Sequence, residues 1–226
     1  IQTILSDDRF KEEDILSVIN YLETEDSTKF ISDVLESSKN FYSGKSIGTF
    51  SPSKILKNKD VLIIGSGFKL KPHRKAMENF IRKKQPIVIA LNTCSQIDES
   101  LIDFRIACNP MRLMADLDTY LRLPQALITP LSMLPKSLSY KLSGKKVLDY
   151  GIGISRDGFE FNDKYGIVPN QLVFAYVLSF IASGKAKKAF LAGFEGYGLG
   201  DIRNKEINEL IDKFREKDKN LRLIAI

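Results

Sequence analysis

The chain is poor in the residues that most often do chemistry. It has one histidine, His73, two cysteines and no tryptophan in 226 residues. One imidazole and two thiols cannot build a His-rich, Cys₄ or Cys₂His₂ zinc site. A catalytic triad would have to use His73, which sits one residue after Pro72 and reads as exposed. Two cysteines are not a disulfide framework, so a reduced, cytoplasmic protein is expected, with Cys94 and Cys108 as ordinary buried thiols. No apolar run reaches the ~18–20 residues of a membrane span, and no signal-peptide pattern stands at the start. A hydrophobic content of 43% with 27% charged residues belongs to a globular chain, one domain with an appendage or two small ones.

Charge is divided unevenly along the chain. Residues 1–45 hold five basic and ten acidic residues, a net −5, while the remaining 181 hold 29 and 18, a net +11. Lys54 to Lys84 alone has ten Lys/Arg against Asp60 and Glu78. Most of these lysines read as solvated helix faces, and the rest suit an anionic ligand such as a phosphate. The basic run lacks interleaved stacking aromatics and no nucleic-acid-binding motif is present, so nucleic acid is not an expected partner.

The first 45 residues read as helical, with Ser6-Asp7-Asp8 as a cap and Ile15, Leu16, Ile19 and Leu22 at helical spacing. Residues 46–59 follow as a polar linker. From residue 60 short apolar runs alternate with amphipathic stretches. Strands are expected at Val61–Ile64, Pro86–Leu91, Leu101–Cys108, Ala126–Thr129, Lys146–Tyr150, Lys188–Ala192 and Leu221–Ile226. Helices are expected at Pro72–Lys84, Met111–Leu121, Pro169–Ser183 and Arg203–Phe214. This alternation predicts an α/β fold: a Rossmann-like three-layer sandwich over 60–226 with a mostly parallel sheet, preceded by a short helical segment.

In such sheets ligands sit outside the carboxyl ends of the strands. Gly65-Ser66-Gly67-Phe68-Lys69 follows the first strand and leads into a helix. Its glycines would let backbone amides approach a phosphate, and Lys69 would add charge. It is not a Walker loop, since no Gly-Lys-Ser/Thr follows, and Leu70 stands where a dinucleotide fingerprint has its third glycine. Asn92 ends the second strand and offers an amide to a base or ribose, or caps its own turn. Gly193-Phe194-Glu195-Gly196-Tyr197-Gly198-Leu199-Gly200-Asp201 follows a later strand. Glu195, Tyr197 and Asp201 there are the candidates for acid/base work or for holding sugar hydroxyls, with capping of the last helix as the alternative role for Asp201. Asn170, at the start of the apolar helix, either caps it or touches ligand. The Asp98-Glu99 and Asp116/Asp118 pairs read as solvated surface. No divalent-metal site is evident.

Two resemblances attach to these motifs. Ile1 to Gly44, with Ser6-Asp7-Asp8-Arg9-Phe10 and Phe41-Tyr42-Ser43-Gly44, resembles the helical tail of aldolases of the 4-hydroxy-2-oxovalerate (HMG-CoA lyase-like) type. The rest resembles the C-terminal domain attached to some of those bacterial proteins of surface-polysaccharide clusters. That implies an aldolase-like barrel in the same polypeptide, with lyase activity only in such a parent. The family's metal site needs an Asp and a His-x-His pair, neither of which maps onto this chain. Gly65-Ser66-Gly67, Asn92 and Gly193-Phe194-Glu195-Gly196-Tyr197 also resemble a Rossmann-like group. It contains bacterial sialyltransferases, flagellin-modification motility-associated factors and the archaeal 6-hydroxymethylpterin pyrophosphokinase. Phe68-Lys69 replaces that group's Pro-Ser, and the late catalytic histidine of its sialyltransferases is absent. The resemblance implies a nucleotide- or nucleotide-sugar-binding, transferase-like domain in surface-glycan biosynthesis. The alternative is a non-catalytic assembly or regulatory appendage of the aldolase-type parent.

Overall fold

A computed structural model of the chain describes residues 32, 35, 39–194 and 202–226. Val61 to Ile64 is apolar on both faces, as a strand covered on both sides must be. It forms β1 (Asp60–Ile64), which lies inside a seven-stranded sheet with β2 (Ile87–Leu91), β3 (Phe104–Ile106), β4 (Ala126–Thr129) and β5 (Val147–Asp149). Three further strands, β6 (Gly151–Ile154), β7 (Glu160–Phe161) and β8 (Tyr165–Val168), make a second sheet in the order β6-β8-β7. Then β9 (Lys188–Ala192) and β10 (Arg222–Ala225) complete the first sheet, whose order is β10-β9-β1-β2-β3-β4-β5. Every pairing in the large sheet is parallel. The chain winds outward from β1 to β5, then returns to place β9 on the other side of β1. The topological switch point therefore lies between β1 and β9.

The pleat divides the core. Val61 and Ile63 pack with Ile89, Leu91 and Ile106 in one apolar cluster, together with the long apolar helix Val173–Ser183. Leu62, Ile64, Val88 and Ala90 point the other way, onto Met77 and Ile81 of the helix Arg74–Lys84. The helix Ile202–Lys217 closes the first side through Leu210 and Phe214, whose ring meets Phe159 edge-on at 5.3 Å. This is the three-layer α/β sandwich expected from the alternation of elements.

Element ends differ from the sequence expectation where local chemistry intervenes. The stretch after β1 opens as a 3₁₀ helix, Phe68–His73, and becomes α-helical only at Arg74. The apolar helix starts at Val173 rather than Pro169, because Asn170 Oδ1 accepts from the Leu172 amide and makes a turn of the preceding residues. The helical stretch expected at 111–121 is two short helices, Pro110–Ala115 and Leu117–Arg122.

The second sheet was not expected. It is joined to the first through Tyr150, a fully buried ring packed edge-on against Phe180 at 5.2 Å. Tyr150's hydroxyl bonds Ser183, and its carbonyl accepts from the Tyr176 hydroxyl. Gly166 lies so close to Ser179 that no β-carbon fits there. Residues 46–59, read as a linker, are packed along this region: the amides of Thr49 and Phe50 both donate to the Asp149 carbonyl at 2.9 Å, and Leu56 is fully buried. Of the helical segment expected over 1–45, residues 1–31, 33, 34 and 36–38 lie outside the described ones; Phe41 is buried in the core. Among the described residues no helix is long and apolar enough to cross a membrane.

Candidate functional site

The carboxyl ends of β1 and β9 meet at the switch point, and two glycine turns are locked together there. Gly65's amide donates to the Ala192 carbonyl at 2.8 Å, and Gly67's donates to the Gly193 carbonyl at 3.1 Å. Gly193 sits at φ +74°, a left-handed conformation that glycine adopts without strain. A β-carbon at Gly65 would lie 2.5 Å from the Gly193 carbonyl oxygen, and one at Gly193 would lie 2.7 Å from the Gly65 oxygen. The glycines are thus required for the approach of one backbone to another. Two amides that a phosphate was expected to use are already donors, to the last residue of β9 and to the glycine after it.

Asn92 stands next in the row. Register places it beyond the Ile64–Ala90 pair, beside Ser66. It too is left-handed, at φ +51°, held by its amide donating to Ile106 O at 2.9 Å. Its half-buried side-chain amide has no hydrogen bond among the described residues, so it is available to a ligand. Asn170 is placed at the same end of the sheet: the neighbouring Gln171 carbonyl receives the Cys108 thiol at 3.6 Å, and Phe174 packs on Phe194 at 4.8 Å. Its side-chain oxygen, however, is engaged in its own turn. Ser66 is exposed, and Lys69 falls within the 3₁₀ helix. Glu195, Tyr197 and Asp201 lie outside the described residues.

The loop between β2 and β3 walls the crevice, and a residue not singled out in the sequence holds it. Arg105 is an arginine in the middle of a buried strand, 1% exposed. Its guanidinium donates to the carbonyls of Asn92 (3.1 Å) and Cys94 (2.8 Å), to Gln125 Oε1 (3.1 Å) and to both oxygens of Glu99 (2.8 and 2.6 Å). Gln125 returns a bond to the Glu99 carbonyl at 2.7 Å. Glu99, read as surface, is therefore the counter-ion of a buried cation. Asp116 accepts from the Thr93 hydroxyl at 3.1 Å, so it too is more than solvated surface. The same loop touches the glycine turn directly: Cys94 Sγ donates to Gly65 O at 3.0 Å and Gln96 Nε2 to Ser66 O at 3.3 Å. A charged residue between Phe104 and Ile106 was the available signal, since a lone arginine is rarely buried without a network.

The cations after the turn are less free than the sequence suggests. Arg74 Nε donates to Glu78 at 2.7 Å, which also accepts from the Asp98 amide at 3.0 Å. These bonds, Arg74's first, hold the Glu78 carboxyl below its usual range. His73 is exposed. Among the described residues no group of three His, Cys, Asp or Glu could hold a metal ion.

Burial pushes the Cys108 thiol up to about 12, and burial also raises Cys94. Both thiols keep their protons at about pH 8, so native protein should react slowly with Ellman's reagent, at half-buried Cys94 alone. Cys108 should react only after denaturation; rapid titration of both in native protein would contradict the fold around β3. An unfolded thiol ionises near ~8.5, so Cys108 makes stability fall as pH rises above that value.

No family model matches the chain, and no curated protein matches it. A solved structure of a MAf glycosyltransferase from Magnetospirillum magneticum AMB-1 is similar over 71% of this chain, at 13% identity and a TM-score of 0.45. The match spans 26% of that protein, about a quarter of its length.

Proposed function

We propose that this domain binds a nucleotide or nucleotide-sugar at the switch point between β1 and β9 and serves a transferase-type reaction in surface-glycan biosynthesis. The observation that carries the reading is Asn92. It is fixed in a left-handed turn at the carboxyl end of β2, beside the glycine turn, with its side-chain amide unpaired among the described residues. An amide presents one donor and one acceptor face, as a base edge or ribose requires. Gly65 and Gly67 form the crevice floor rather than a phosphate cage, so Ser66 and Lys69 are the turn's contributions to ligand binding. Glu195, Tyr197 and Asp201 are the proposed acid/base or hydroxyl-binding groups.

The test is thermal unfolding with CMP-, UDP- and GDP-type ligands. A ligand at a hundredfold excess over Kd should stabilise the domain by about 2.7 kcal/mol. Asn92→Gly keeps the left-handed backbone and removes the amide, so it should abolish the shift while leaving the unliganded melting temperature within a few degrees. A flat response across the panel would overturn the proposal.

That flat response is the outcome expected from the second reading, a non-catalytic appendage docked through the helical segment 1–45 onto an aldolase-like barrel. Leu35 and Tyr42 of that segment favour it, as large apolar side chains 57% and 64% exposed.

A further inference from the structure

Parallel strands place all their amino ends at one pole, opposite the crevice. The segments leading into four neighbouring strands, β10, β9, β1 and β2, include residues 218–222, 185–188 and 57–60 and, at 82–85, the last turn of the helix Arg74–Lys84 with Gln85. They contain Lys57, Lys59, Arg82, Lys83, Lys84, Lys185, Lys187, Lys188, Lys219 and Arg222 against Asp60 and Asp218. Ten cations and two carboxylates give this row more positive charge than the whole chain's +6, so the remainder of the molecule is net negative. Nothing in the sequence order announces the row; the winding assembles it. Two of the turns are bonded to each other, Asn58's amide donating to Lys185 O at 3.0 Å and Lys187's to Lys59 O at 2.8 Å. Arg82 lies 3.9 Å from Glu78, and only Lys188 is drawn inward, to Asp60 at 3.2 Å. The other nine cations are exposed. The row stops at β3, where the Asp103 carboxylate accepts from the Val88 amide.

At neighbouring-strand spacing the row is about 14 Å across. Beside it lies a cleft of about 330 Å³ lined by Lys57, Lys185, Ser53, Ser183, Asn162 and Asp163, with Phe161 as its one aromatic wall. The four segments carry no aromatic residue, and eight of the ten cations are lysines. Lysine is a flexible point charge, suited to a delocalised array of anions rather than to planar, bidentate readout. Single-stranded nucleic acid would call for stacking aromatics.

We propose that this pole is an electrostatic docking surface for an anionic lipid bilayer, with the polar cleft beside Lys57 and Lys185 receiving a phosphorylated headgroup. A membrane asks only that many cations reach one plane, and each contributes near the surface independently. Docked this way, the crevice faces away from the bilayer. The proposal does not depend on what the crevice binds.

The experiment is co-sedimentation of the full chain with phosphatidylcholine vesicles, with and without about 30% phosphatidylserine. Binding is expected only to the anionic vesicles and should be lost as salt shortens the screening length. The triple variant Lys57→Gln, Lys59→Gln, Lys187→Gln should bind roughly a hundredfold more weakly. Lys75→Gln, Lys136→Gln, Lys205→Gln removes the same charge elsewhere and should retain most binding. Unchanged melting temperatures show that both variants fold. Absence of binding to anionic vesicles, equal weakening by the two triples, or tighter binding to duplex nucleic acid at the same salt would overturn the proposal. Inorganic phosphate that competes as well as vesicles bind would overturn the bilayer as the source of the anion.

Discussion

Arg105→Met lowers the stability of the domain by about 3 kcal/mol, read as a fall in the urea midpoint at constant slope. Methionine fills much of the volume but leaves the Asn92 and Cys94 carbonyls and the Gln125 side chain without their donor. Glu99 moderates the loss. Its side chain is 37% exposed and can turn to water once its partner has gone, which places the cost at the lower end for a broken buried ion pair. Arg105→Lys keeps the charge but cannot span a carboxylate, an amide and two carbonyls, so an intermediate loss is expected. Amides of residues 92–101 should exchange faster in both variants than those of β1, because the loop loses its anchor before the sheet does. A loss for Arg105→Met below about 1 kcal/mol would mean that the loop is held by something other than this guanidinium.

Gly65→Val is the second large effect, expected at about 3 to 4 kcal/mol. The new β-carbon would meet the Gly193 carbonyl oxygen at 2.5 Å and its carbon at 3.3 Å. Both are backbone atoms, so no rotamer change relieves the clash. β1 and β9 must part, and the Gly65–Ala192 and Gly67–Gly193 bonds go with them. Gly144→Ala is the control. Nothing lies within 4 Å of a β-carbon there, and the change should be neutral to within about 0.5 kcal/mol. Equal melting temperatures for the two variants would show that the glycine turns are not in contact.

The large sheet was legible because its strands announce themselves. Val61-Leu62-Ile63-Ile64 and Lys188 to Ala192 are short apolar runs ending at glycine, and alternation with helices gave the parallel winding. β6 to β8 were not legible. Gly151-Ile152-Gly153-Ile154 and Tyr165-Gly166-Ile167-Val168 are rich in glycine, which reads as loop. Their glycines are there because Ile47, Ser46 and Ser179 crowd them, a reason that exists only in three dimensions. The placement of the candidate site was legible in part. Gly65, Gly67 and Gly193 do meet at the switch point, and Asn92 stands beside them. The use of the glycine amides was not, because a strand bond and a phosphate bond ask for the same residue. Arg105 and Glu99 were missed for a related reason. One looked like a misplaced charge in a strand and the other like a surface acid, and only the fold brings them within bonding distance.

The pairing of β1 with β9 also sets a timetable. Asp60 finds Lys188, and Ile64 finds Ala192, far down the chain. Synthesis runs from the amino end, so β1 to β5 can zip together while β9 is still unmade. Until residue 192 has emerged, one edge of β1, lined by Val61 to Ile64, stays open. A strand flanked on both sides in the finished sheet is the edge of the nascent one. That is the interval in which this chain is most exposed to edge-to-edge association with its own kind, and a slow, non-local closure ends it.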